Sequence, residues 1–371
     1  MLTSGSKPRI HILVPTFQPH DAVGNDVAGM YFALRSAGYD AIVFAEHIHH
    51  AFSSITRKAD KGNDDYWRDS NAILIYHHAI LWDLGEQILA STRNRIVIKY
   101  HNVTPPEFFA SYAQHYYWAC VRGKEATARL SQIPGVLVWG DSQYNADEFI
   151  SLGVPPERCR VVAPIHKIEE LGRLRFDNVV LGAYRASVNL LFVGGMRPNK
   201  GHAKALEVLA ALREETMLPV RLFFVGSFDP NLVRYTEDLA EYTRHLNLID
   251  DVVFAQSVSP SQLRSYYMTA SVFLCVSEHE GFCVPLVEAM AFRVPIVGWA
   301  TTAVGETAGG CGMMYDTFDP AAMAAGVAEC MENQEIARTL AKRGRQRYED
   351  VFHVSAIERK LLNLVSEVAN T

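Results

Sequence analysis

Two carboxylates with seven residues between them are the first candidates for chemistry in this sequence. Glu280 and Glu288 stand in CVSEHEGFCVPLVEAMAFRVPIVGW, residues 275–299. The apolar run before Glu280 predicts a buried strand, and Pro285 favours the first turn of a helix because its φ is already fixed. Glu280 is therefore expected on the loop after a strand, and Glu288 about one turn into the helix. An ionised carboxylate can accept two hydrogen bonds from a diol.

The start of the same helix is expected to bind anions. The first backbone N–H groups of a helix have no partner inside the helix, so they attract anionic groups of a ligand. A further buried strand is predicted after the helix, at residues 295–299. Both carboxylates would then face the carboxyl ends of parallel strands, where ligands bind in open α/β folds. The residues that offer these N–H groups are Gly281, Phe282, Cys283 and Val284.

A glycine-rich basic loop is the second candidate. Residues 189–193 predict a strand, and GGMRPNKG follows it as residues 194–201. Glycines let a backbone approach a diphosphate closely, and Arg197 and Lys200 can form charge-assisted hydrogen bonds with its oxygens. No Gly-Lys-Ser/Thr sequence closes the loop, so a Walker-type P-loop is not predicted.

The first half of the chain predicts a Rossmann-like opening. An apolar strand ends near Pro15, and Gly24-Asn25-Asp26 precedes a predicted helix that ends at Gly38. The loop lacks GxGxxG, so a dinucleotide site is not predicted. Farther along, His101 follows a predicted strand at residues 95–100 and should lie at the carboxyl edge of the sheet.

An aromatic segment, PPEFFASYAQHYYWACVRG, covers residues 105–123. A stripe of rings at helical spacing predicts mainly core packing. The rings exceed what one helical face can hold, which leaves stacking on a sugar or contact with a membrane interface as further interpretations. The rings belong to Phe108, Phe109, Tyr112, Tyr116, Tyr117 and Trp118.

Composition limits the class of protein. A length of 371 residues suits two or three domains, and 49% hydrophobic residues can bury a large core. The net charge of −6 argues against a nucleic-acid binder. No apolar run reaches the ~18 residues that a spanning helix needs. Without CxxC pairs or a secretory leader, the sequence predicts a reduced, cytoplasmic protein.

The segment around the two glutamates resembles the Glu-x7-Glu signature of retaining glycosyltransferases, in particular family 4 of the GT-B fold. The family signature commonly reads S-x-x-E-G-F-G-x-P-x-x-E-A-M-A, and Cys283 replaces its usual Gly. The basic loop resembles the family's G-R-x-x-x-x-K-G loop. Lys200 matches the Lys, whereas Gly195 stands in place of the Arg, so Arg197 is expected to deliver the guanidinium. The signature residues present are Ser277, Glu280, Gly281, Phe282, Pro285, Glu288, Ala289, Met290 and Ala291.

Two features of the first half are also similar to this family. Asp21, Gly24 and Asn25 correspond to a loop written D-A-x-x-N-D, which approaches the donor phosphates and, through the Asp, the acceptor. His101 matches a histidine that touches the transferring sugar. For Gly24, service in a tight turn alone remains an alternative.

The resemblance implies an α/β protein of the GT-B class, with two doubly wound Rossmann-like domains facing a central cleft. Residues 1–185 would form the N-terminal, acceptor-side domain, and residues 186–347 the C-terminal domain that binds the nucleotide-sugar donor. Residues 348–371 would form a helix that crosses back to the N-terminal domain.

The resemblance also implies an activity. A hexose, preferably mannose, would pass with retention from a GDP- or UDP-sugar to a saccharide or lipid-linked oligosaccharide in surface polysaccharide synthesis, at the inner face of the membrane. Lys200 and Arg197 would neutralise the departing diphosphate. Glu288 would bind the ribose, and Glu280 the donor hexose or its developing positive charge. Because two cations and helix N-termini are available, neither a metal nor another cofactor is expected.

Other functions remain open. Nucleotide-sugar 2-epimerases and sugar phosphorylases share the GT-B fold, and a non-catalytic sugar-nucleotide-binding module would leave His101 and Glu280 unused. A glycoside hydrolase also uses two carboxylates, but it has no need of Lys200. Turnover of the donor with and without an acceptor distinguishes these functions.

Overall fold

The described residues of the chain form two compact units, each built around one parallel sheet. The computed structural model describes residues 7–19, 21–60, 62, 64–184, 187–216 and 218–370. The first unit takes the described residues up to Val103, Trp118–His166 and the residues from Val354 onward, and the second takes Thr104–Tyr117 and Lys167–His353. Residues 104–117 and 167–184, assigned to the first domain by the sequence analysis, thus pack in the second unit. The predicted boundary at residues 185 and 186 lies outside the described residues.

Seven parallel strands organise the first unit. They are β1 (Ile10–Phe17), β2 (Ala41–Ile48), β3 (Thr56–Lys58), β4 (Ile73–His78), β5 (Arg95–Tyr100), β6 (Leu137–Gly140) and β7 (Cys159–Val161). Their order in the sheet is β3-β2-β1-β4-β5-β6-β7. Buried clusters pack on the sheet, as expected when a parallel sheet is covered by helices.

Six parallel strands organise the second unit. They are β8 (Val188–Val193), β9 (Val220–Val225), β10 (Val252–Ala255), β11 (Val272–Cys275), β12 (Ile296–Trp299) and β13 (Met313–Tyr315). Their order is β10-β9-β8-β11-β12-β13. The direction of winding therefore reverses between β8 and β11.

Helices connect the strands in both units. In chain order they are α1 (Ala22–Ser36), α2 (Asp64–Trp67), α3 (Asp83–Ser91), α4 (Gln114–Ser131), α5 (Gln143–Ser151), α6 (Ile168–Arg173), α7 (Asn178–Tyr184), α8 (His202–Glu215), α9 (Val233–His245), α10 (Pro260–Thr269), α11 (Val284–Ala291), α12 (Val304–Ala308), α13 (Pro320–Glu332), α14 (Gln334–Arg347) and α15 (Val354–Asn370). None of those in the described part of the chain has both the length and the apolar character needed to cross a membrane.

Helix α1 begins earlier than predicted. Asp21 is its N-cap, and the Asp21 carboxylate accepts a hydrogen bond from the Gly24 N–H at 2.6 Å. Gly24, Asn25 and Asp26 therefore lie in the first turns of α1, and the expectation that they precede the helix is wrong. Gly24 also packs against the preceding loop, because a Cβ there would lie only 2.0 Å from the Gln18 carbonyl oxygen.

The aromatic segment does not mainly fill a core. The buried face of α4 contains small residues such as Gly123, Ala126 and Thr127, which let the helix lie close to the sheet. Phe109 is buried, but the Trp118 side chain is 56% exposed. The prediction of core packing is thus wrong for most of the stripe, because small residues occupy the positions that face the core.

The last helix completes the core of the first unit. Buried residues recur along α15 every three or four positions, and they join the apolar cluster around β1 and β2. The predicted helix from Tyr348 to Val368 is interrupted, since Tyr348–Phe352 forms a π-type turn and His353, with ψ of 135°, is not helical before α15 begins. The buried residues are Ile357, Leu361, Leu364, Val365 and Val368.

We predict that Leu361→Ala lowers the free energy of unfolding of the first unit by about 3 kcal/mol, because it leaves a cavity in a fully packed core. Asn363→Ala, an exposed position on the same helix, should change it by less than about 0.5 kcal/mol. Urea unfolding measures both changes, and amide hydrogen exchange locates the loss. Equal effects from the two variants would contradict the packing of α15 described above.

Candidate functional site

The loops that follow β8 and β11 leave the second sheet side by side. The two strands are paired in parallel, with Leu190 opposite Val272, and the winding reverses between them. Such a reversal creates a crevice at the carboxyl edge of a sheet. The first loop carries Lys200 and the second carries Glu280, so the fold joins two candidates that are 80 residues apart.

Lys200 and Glu280 form an ion pair in which the ammonium contacts both carboxylate oxygens. The Lys200 Nζ donates to the two Glu280 carboxylate oxygens at 2.8 and 2.9 Å, and the Ser277 hydroxyl donates to one of them at 2.8 Å. Burial alone lowers the pKa of Lys200, but the Glu280 carboxylate raises it above its usual value. Lys200 is therefore a cation, and the third N–H of its ammonium group can serve a ligand oxygen.

Asn199 and Gly201 hold the two loops together. The buried Asn199 side chain donates to the His279 carbonyl at 3.1 Å, and the Asn199 carbonyl accepts from the Glu278 N–H at 2.9 Å. Gly201 has φ of 77°, and a Cβ at this position would lie 2.0 Å from the Val276 carbonyl oxygen. The close approach of the loops thus requires glycine at position 201.

Helix α11 begins four residues after Glu280. It begins at Val284 with Pro285 in its first turn, which confirms the predicted helix. Cys283 precedes it with φ of 75°, and the Cys283 side chain does not cap the helix. The Cys283 side chain therefore accepts no hydrogen bond from the first backbone N–H groups of α11, the region predicted to bind anions.

Glu288 faces a tyrosine. The Tyr267 hydroxyl donates to one Glu288 carboxylate oxygen at 2.6 Å, and it also lies 3.2 Å from the Pro285 carbonyl oxygen. Burial raises the pKa of Glu288. One carboxylate oxygen is thus engaged by the protein, and the other is available for a ligand hydroxyl.

Arg197 lies away from the ion pair and has its own anionic partner. Its guanidinium is 3.5 Å from the Asp229 carboxylate and 5.7 Å from the centre of the Tyr116 ring. The Tyr116 hydroxyl donates to the same Asp229 oxygen at 2.8 Å. At Gly195 a Cβ would meet the Ser227 hydroxyl at an ordinary 3.5 Å, so a side chain there is not excluded by the backbone. A diphosphate bound by Arg197 must compete with Asp229.

The aromatic segment lies against this part of the second unit. The Tyr112 ring packs edge-to-face on Tyr235 with centroids 5.2 Å apart, and the Ser111 carbonyl accepts from Arg234 at 3.2 Å. The segment therefore joins the candidate site through tyrosines, including Tyr116, that the sequence analysis had assigned to a core.

In the first unit, both ring nitrogens of His101 are engaged. Nδ1 is 2.9 Å from the Asp141 carboxylate, and Nε2 is 2.8 Å from Nδ1 of His77. Lys99 donates to Asp141 and to the Val162 carbonyl. Burial raises the pKa of Asp141, but His101 and Lys99 outweigh it and hold that pKa below its usual value. The predicted contact of His101 with a sugar stays a prediction, since buried partners hold its ring.

Asp26 completes this buried network and raises the question of a metal. Asp26, His77 and His101 place ligand-type atoms within 4.8 Å of one another. The two imidazole rings are tilted by only 20° with centroids 5.1 Å apart, so their facing nitrogens lie nearly on one line, as in a direct hydrogen bond. The Lys99 ammonium, 3.8 Å from Asp26, also opposes a second cation. These residues fit a hydrogen-bonded network better than a metal site.

Several residues of the site were not predicted. Asn199 lies inside the predicted phosphate loop, so its position was a signal, although its role depends on a contact with a distant loop. Asp229 follows the carboxyl end of β9, where site residues are expected. Nothing in the sequence distinguishes Tyr267 from the other aromatic residues of its helix. Ser277 belongs to the signature, but its bond to Glu280 is visible only in the structure.

We predict that His202 makes the second unit sensitive to acid. His202 is fully buried beside Tyr235, and burial, reinforced by Lys200, lowers its pKa to about 3. Between that pKa and about 6.5 the unfolded chain binds the proton and the folded chain does not, so the free energy of unfolding decreases as the pH is lowered. His202→Gln should remove about 2 kcal/mol of the loss in unfolding free energy between pH 7 and pH 5. Urea unfolding at the two pH values tests this, and equal losses in both proteins would contradict it.

The C-terminal part of the chain matches a known family. Residues 179–347, which include Lys200, Glu280 and Glu288, match the family model described as "Glycosyl transferases group 1". The D-inositol 3-phosphate glycosyltransferase of Acidothermus cellulolyticus is 28% identical over 206 residues, which cover 52% of this chain and 44% of that protein. The GDP-mannose:cellobiosyl-diphosphopolyprenol alpha-mannosyltransferase of Xanthomonas oryzae pv. oryzae is 30% identical over 176 residues, covering 47% and 43%. This chain thus spans less than half the length of either relative.

Solved structures match nearly the whole chain at low identity. Sucrose-phosphate synthase of Thermosynechococcus elongatus aligns with a TM-score of 0.75 at 18% identity, covering 98% of this chain and 99% of that one. HepE of Anabaena in complex with UDP and glucose aligns with a TM-score of 0.75 at 16% identity, covering 97% and 100%. The GT-B fold class, with two doubly wound domains, is thereby confirmed. Together with the family match, the relatives support a glycosyltransferase.

Proposed function

We propose that this chain is a retaining glycosyltransferase of family 4 that transfers a hexose from a nucleotide sugar to a saccharide or lipid-linked oligosaccharide. The observation that carries the proposal is the Lys200–Glu280 ion pair at the strand reversal of the second sheet. It lies inside the stretch that matches the glycosyl transferase model. A fixed ammonium beside a fixed carboxylate suits a reaction in which a diphosphate leaves a sugar, because negative charge develops on the diphosphate and positive charge on the sugar.

The positive groups of the second unit would bind the diphosphate. The donors would be the third N–H of Lys200, the Arg197 guanidinium and the backbone amides of the Gly281–Val284 turn that leads into α11. Such preorganised donors stabilise the negative charge that develops on the leaving group. With these groups in place the transfer needs no metal and no other cofactor.

The two glutamates would divide the rest of the donor. Glu288 keeps one carboxylate oxygen after its bond to Tyr267, and that oxygen suits a ribose hydroxyl. Glu280 is held by Lys200 and Ser277 and would contact the hexose, where positive charge develops. Its ion pair supplies a carboxylate that is fixed before the substrate arrives. In the first unit, as the resemblance implies, Gly24 and Asn25 would belong to the loop that approaches the donor phosphates. Asp21 would serve the acceptor, and His101 would touch the transferring sugar.

GDP-mannose is the donor that we propose first. The Xanthomonas relative is named for GDP-mannose and for an acceptor on diphosphopolyprenol, and a relative from Mycolicibacterium hassiacum is named as an MMP alpha-(1->4)-mannosyltransferase. A UDP-sugar is the second donor to test. With a lipid-linked acceptor in surface polysaccharide synthesis, the enzyme would work at the cytoplasmic face of a membrane.

Nucleotide-sugar binding and turnover test this proposal. Thermal unfolding is measured with GDP-mannose, UDP-glucose, GDP and UDP, because a ligand at 100 times its Kd stabilises the folded state by about 2.7 kcal/mol. The stabilising donor is then assayed with saccharide and lipid-linked acceptors, with and without EDTA, and NMR gives the anomeric configuration of the product. Retention with activity in EDTA supports the proposal. Turnover without an acceptor would instead indicate an epimerase, and binding without turnover a binding module.

The competition for Arg197 yields a paired prediction. If Arg197 binds the diphosphate, Arg197→Ala should weaken donor binding tenfold or more, about 1.4 kcal/mol. Asp229→Asn removes the competing anion, so it should leave donor affinity unchanged or increase it. Isothermal titration with the nucleotide measures both constants. Equal weakening by the two variants would show that Arg197 only anchors Asp229 and Tyr116.

The two glutamates should differ in kinetics. Glu288→Gln should raise the KM for the donor about tenfold with little change in kcat, because the ribose is bound equally in the ground and transition states. Glu280→Gln should lower kcat more than tenfold while free nucleotide binds nearly as before. Steady-state kinetics and nucleotide titration decide the matter. The assignment is wrong if Glu280→Gln keeps full kcat or if Glu288→Gln loses turnover at unchanged donor affinity.

A further inference from the structure

Two thiols face each other at the Gly281–Val284 turn of the candidate donor site. Cys275 is the last residue of β11, and Cys283 is the residue that precedes α11. Their sulfur atoms are 3.9 Å apart, and their side chains are 3% and 6% exposed. Both thiols also interact electrostatically with the Lys200 ammonium. The pair thus joins the base of the Glu280 loop to the strand beneath it.

The backbone at Cys283 is strained. Its φ of 75° and ψ of 72° lie in the left-handed region, where a side chain costs about 1 kcal/mol that glycine would avoid. A strained residue persists when its surroundings enforce it, and such residues concentrate at functional sites. At this position the strained residue is the one whose thiol faces Cys275. Strain and thiol pairing therefore coincide at one residue.

We propose that Cys275 and Cys283 form an oxidisable dithiol whose disulfide distorts the donor site and weakens nucleotide binding. The functional consequence rests on the proposed binding of a nucleotide sugar at the Gly281–Val284 amides. The oxidant is a small-molecule disulfide. One cysteine thiolate attacks it and releases one small thiol, and the second cysteine then attacks the mixed disulfide and releases the other. Two protein thiols are oxidised to one disulfide while the reagent is reduced to two thiols.

Disulfide formation must move the loop rather than the strand. The sulfur atoms have to approach from 3.9 Å to about 2.05 Å. β11 is fixed between β8 and β12 in the sheet, so Cys283 and the adjoining turn are drawn toward it. That shift displaces the first amides of α11 and the Glu280 loop. Since both contribute to the proposed donor site, the oxidised protein should bind nucleotide more weakly.

The surroundings of the pair set the speed of the reaction. The contact with Cys275, burial and the neighbouring Glu280 together raise the pKa of Cys283 well above its usual value, although Lys200 opposes them. The thiolate is the reactive form, so its fraction and the rate rise as the pH increases toward that pKa. Oxidation through Cys283 should be slow at pH 7 and about thirtyfold faster at pH 8.5, because far below its pKa the thiolate fraction rises tenfold with each pH unit. A bound nucleotide, by covering the turn, should slow it.

The disulfide is detected chemically. The reduced protein is treated with dipyridyl disulfide, excess reagent is removed, and remaining thiols are alkylated before digestion with trypsin. No Lys or Arg lies between Arg264 and Arg293, so one peptide contains Cys275 and Cys283 and no other cysteine. The proposal predicts an oxidised peptide that takes up no alkyl group and is two hydrogens lighter than the unmodified one. A peptide that takes up two alkyl groups after oxidation would overturn it.

The functional consequence is measured by nucleotide titration. Oxidation should weaken GDP or UDP binding at least tenfold, and dithiothreitol should restore it. Cys275→Ala should bind nucleotide normally and lose the sensitivity. Cys330→Ala is a matched control at another buried cysteine of the second unit and should stay sensitive. If Cys275→Ala does not fold, Cys275→Ser replaces it.

The outcomes separate the dithiol from the proposed function. Two results would overturn the proposed effect of the disulfide on nucleotide binding. One is unchanged affinity in a protein whose disulfide has formed, and the other is an equal loss of affinity when Cys275→Ala is oxidised. If the reduced protein binds no nucleotide sugar, the proposed function fails. In that case the alkylation pattern alone still decides whether the dithiol forms a disulfide.

Discussion

The ion pair between Lys200 and Glu280 is the interaction on which the candidate site depends. Its two loops are held in register by Asn199, and they can approach only because Gly201 has no side chain. Removing one partner of such a pair leaves a poorly solvated charge, which costs about 3 kcal/mol or more when the pair is buried. Replacing both partners by apolar residues, by contrast, is often neutral for stability, so what this pair provides is the fixed position of two charged groups. It fixes a carboxylate and an ammonium where the loops after β8 and β11 leave the sheet, and Ser277 keeps that carboxylate in place.

The first unit also holds charged groups away from water at the carboxyl edge of its sheet, but in a larger hydrogen-bonded network. Its carboxyl edge carries the buried network of Asp26, His77, Lys99, His101 and Asp141, drawn from α1 and from strands or strand ends that neighbour one another in the sheet. Charges this well shielded from water are tolerated only when they balance and are hydrogen-bonded. The network therefore rigidifies the edge from which the loop with His101 departs. Rigid support of loop residues is what a sheet provides to a site in this class of fold.

The sequence predicts the long strands well, because a parallel sheet buried on both faces requires continuous apolar runs. It misses β3, β7 and β13, since three-residue edge strands are too short to show a period. The start of α1 was misplaced because Asp21 caps the helix and the glycine after it invites a loop interpretation. Spacing located Lys200 and Glu280 separately, but a contact across 80 residues is a property of the sheet order. Likewise, neither His77 nor Tyr267 carries a local signal, as each acquires its partner only through the packing of distant strands and helices.

The return of α15 to the first unit affects how this chain can fold during synthesis. The core around β1 and β2 includes Leu361 and Val365, which leave the ribosome only after every strand of both sheets. The second unit, by contrast, is formed by residues that end at His353. The unit that is translated later can therefore complete its core first, while the earlier one waits with an apolar surface exposed. The apolar surface of the first unit that α15 covers in the folded protein therefore stays exposed on the nascent chain until α15 has been synthesised.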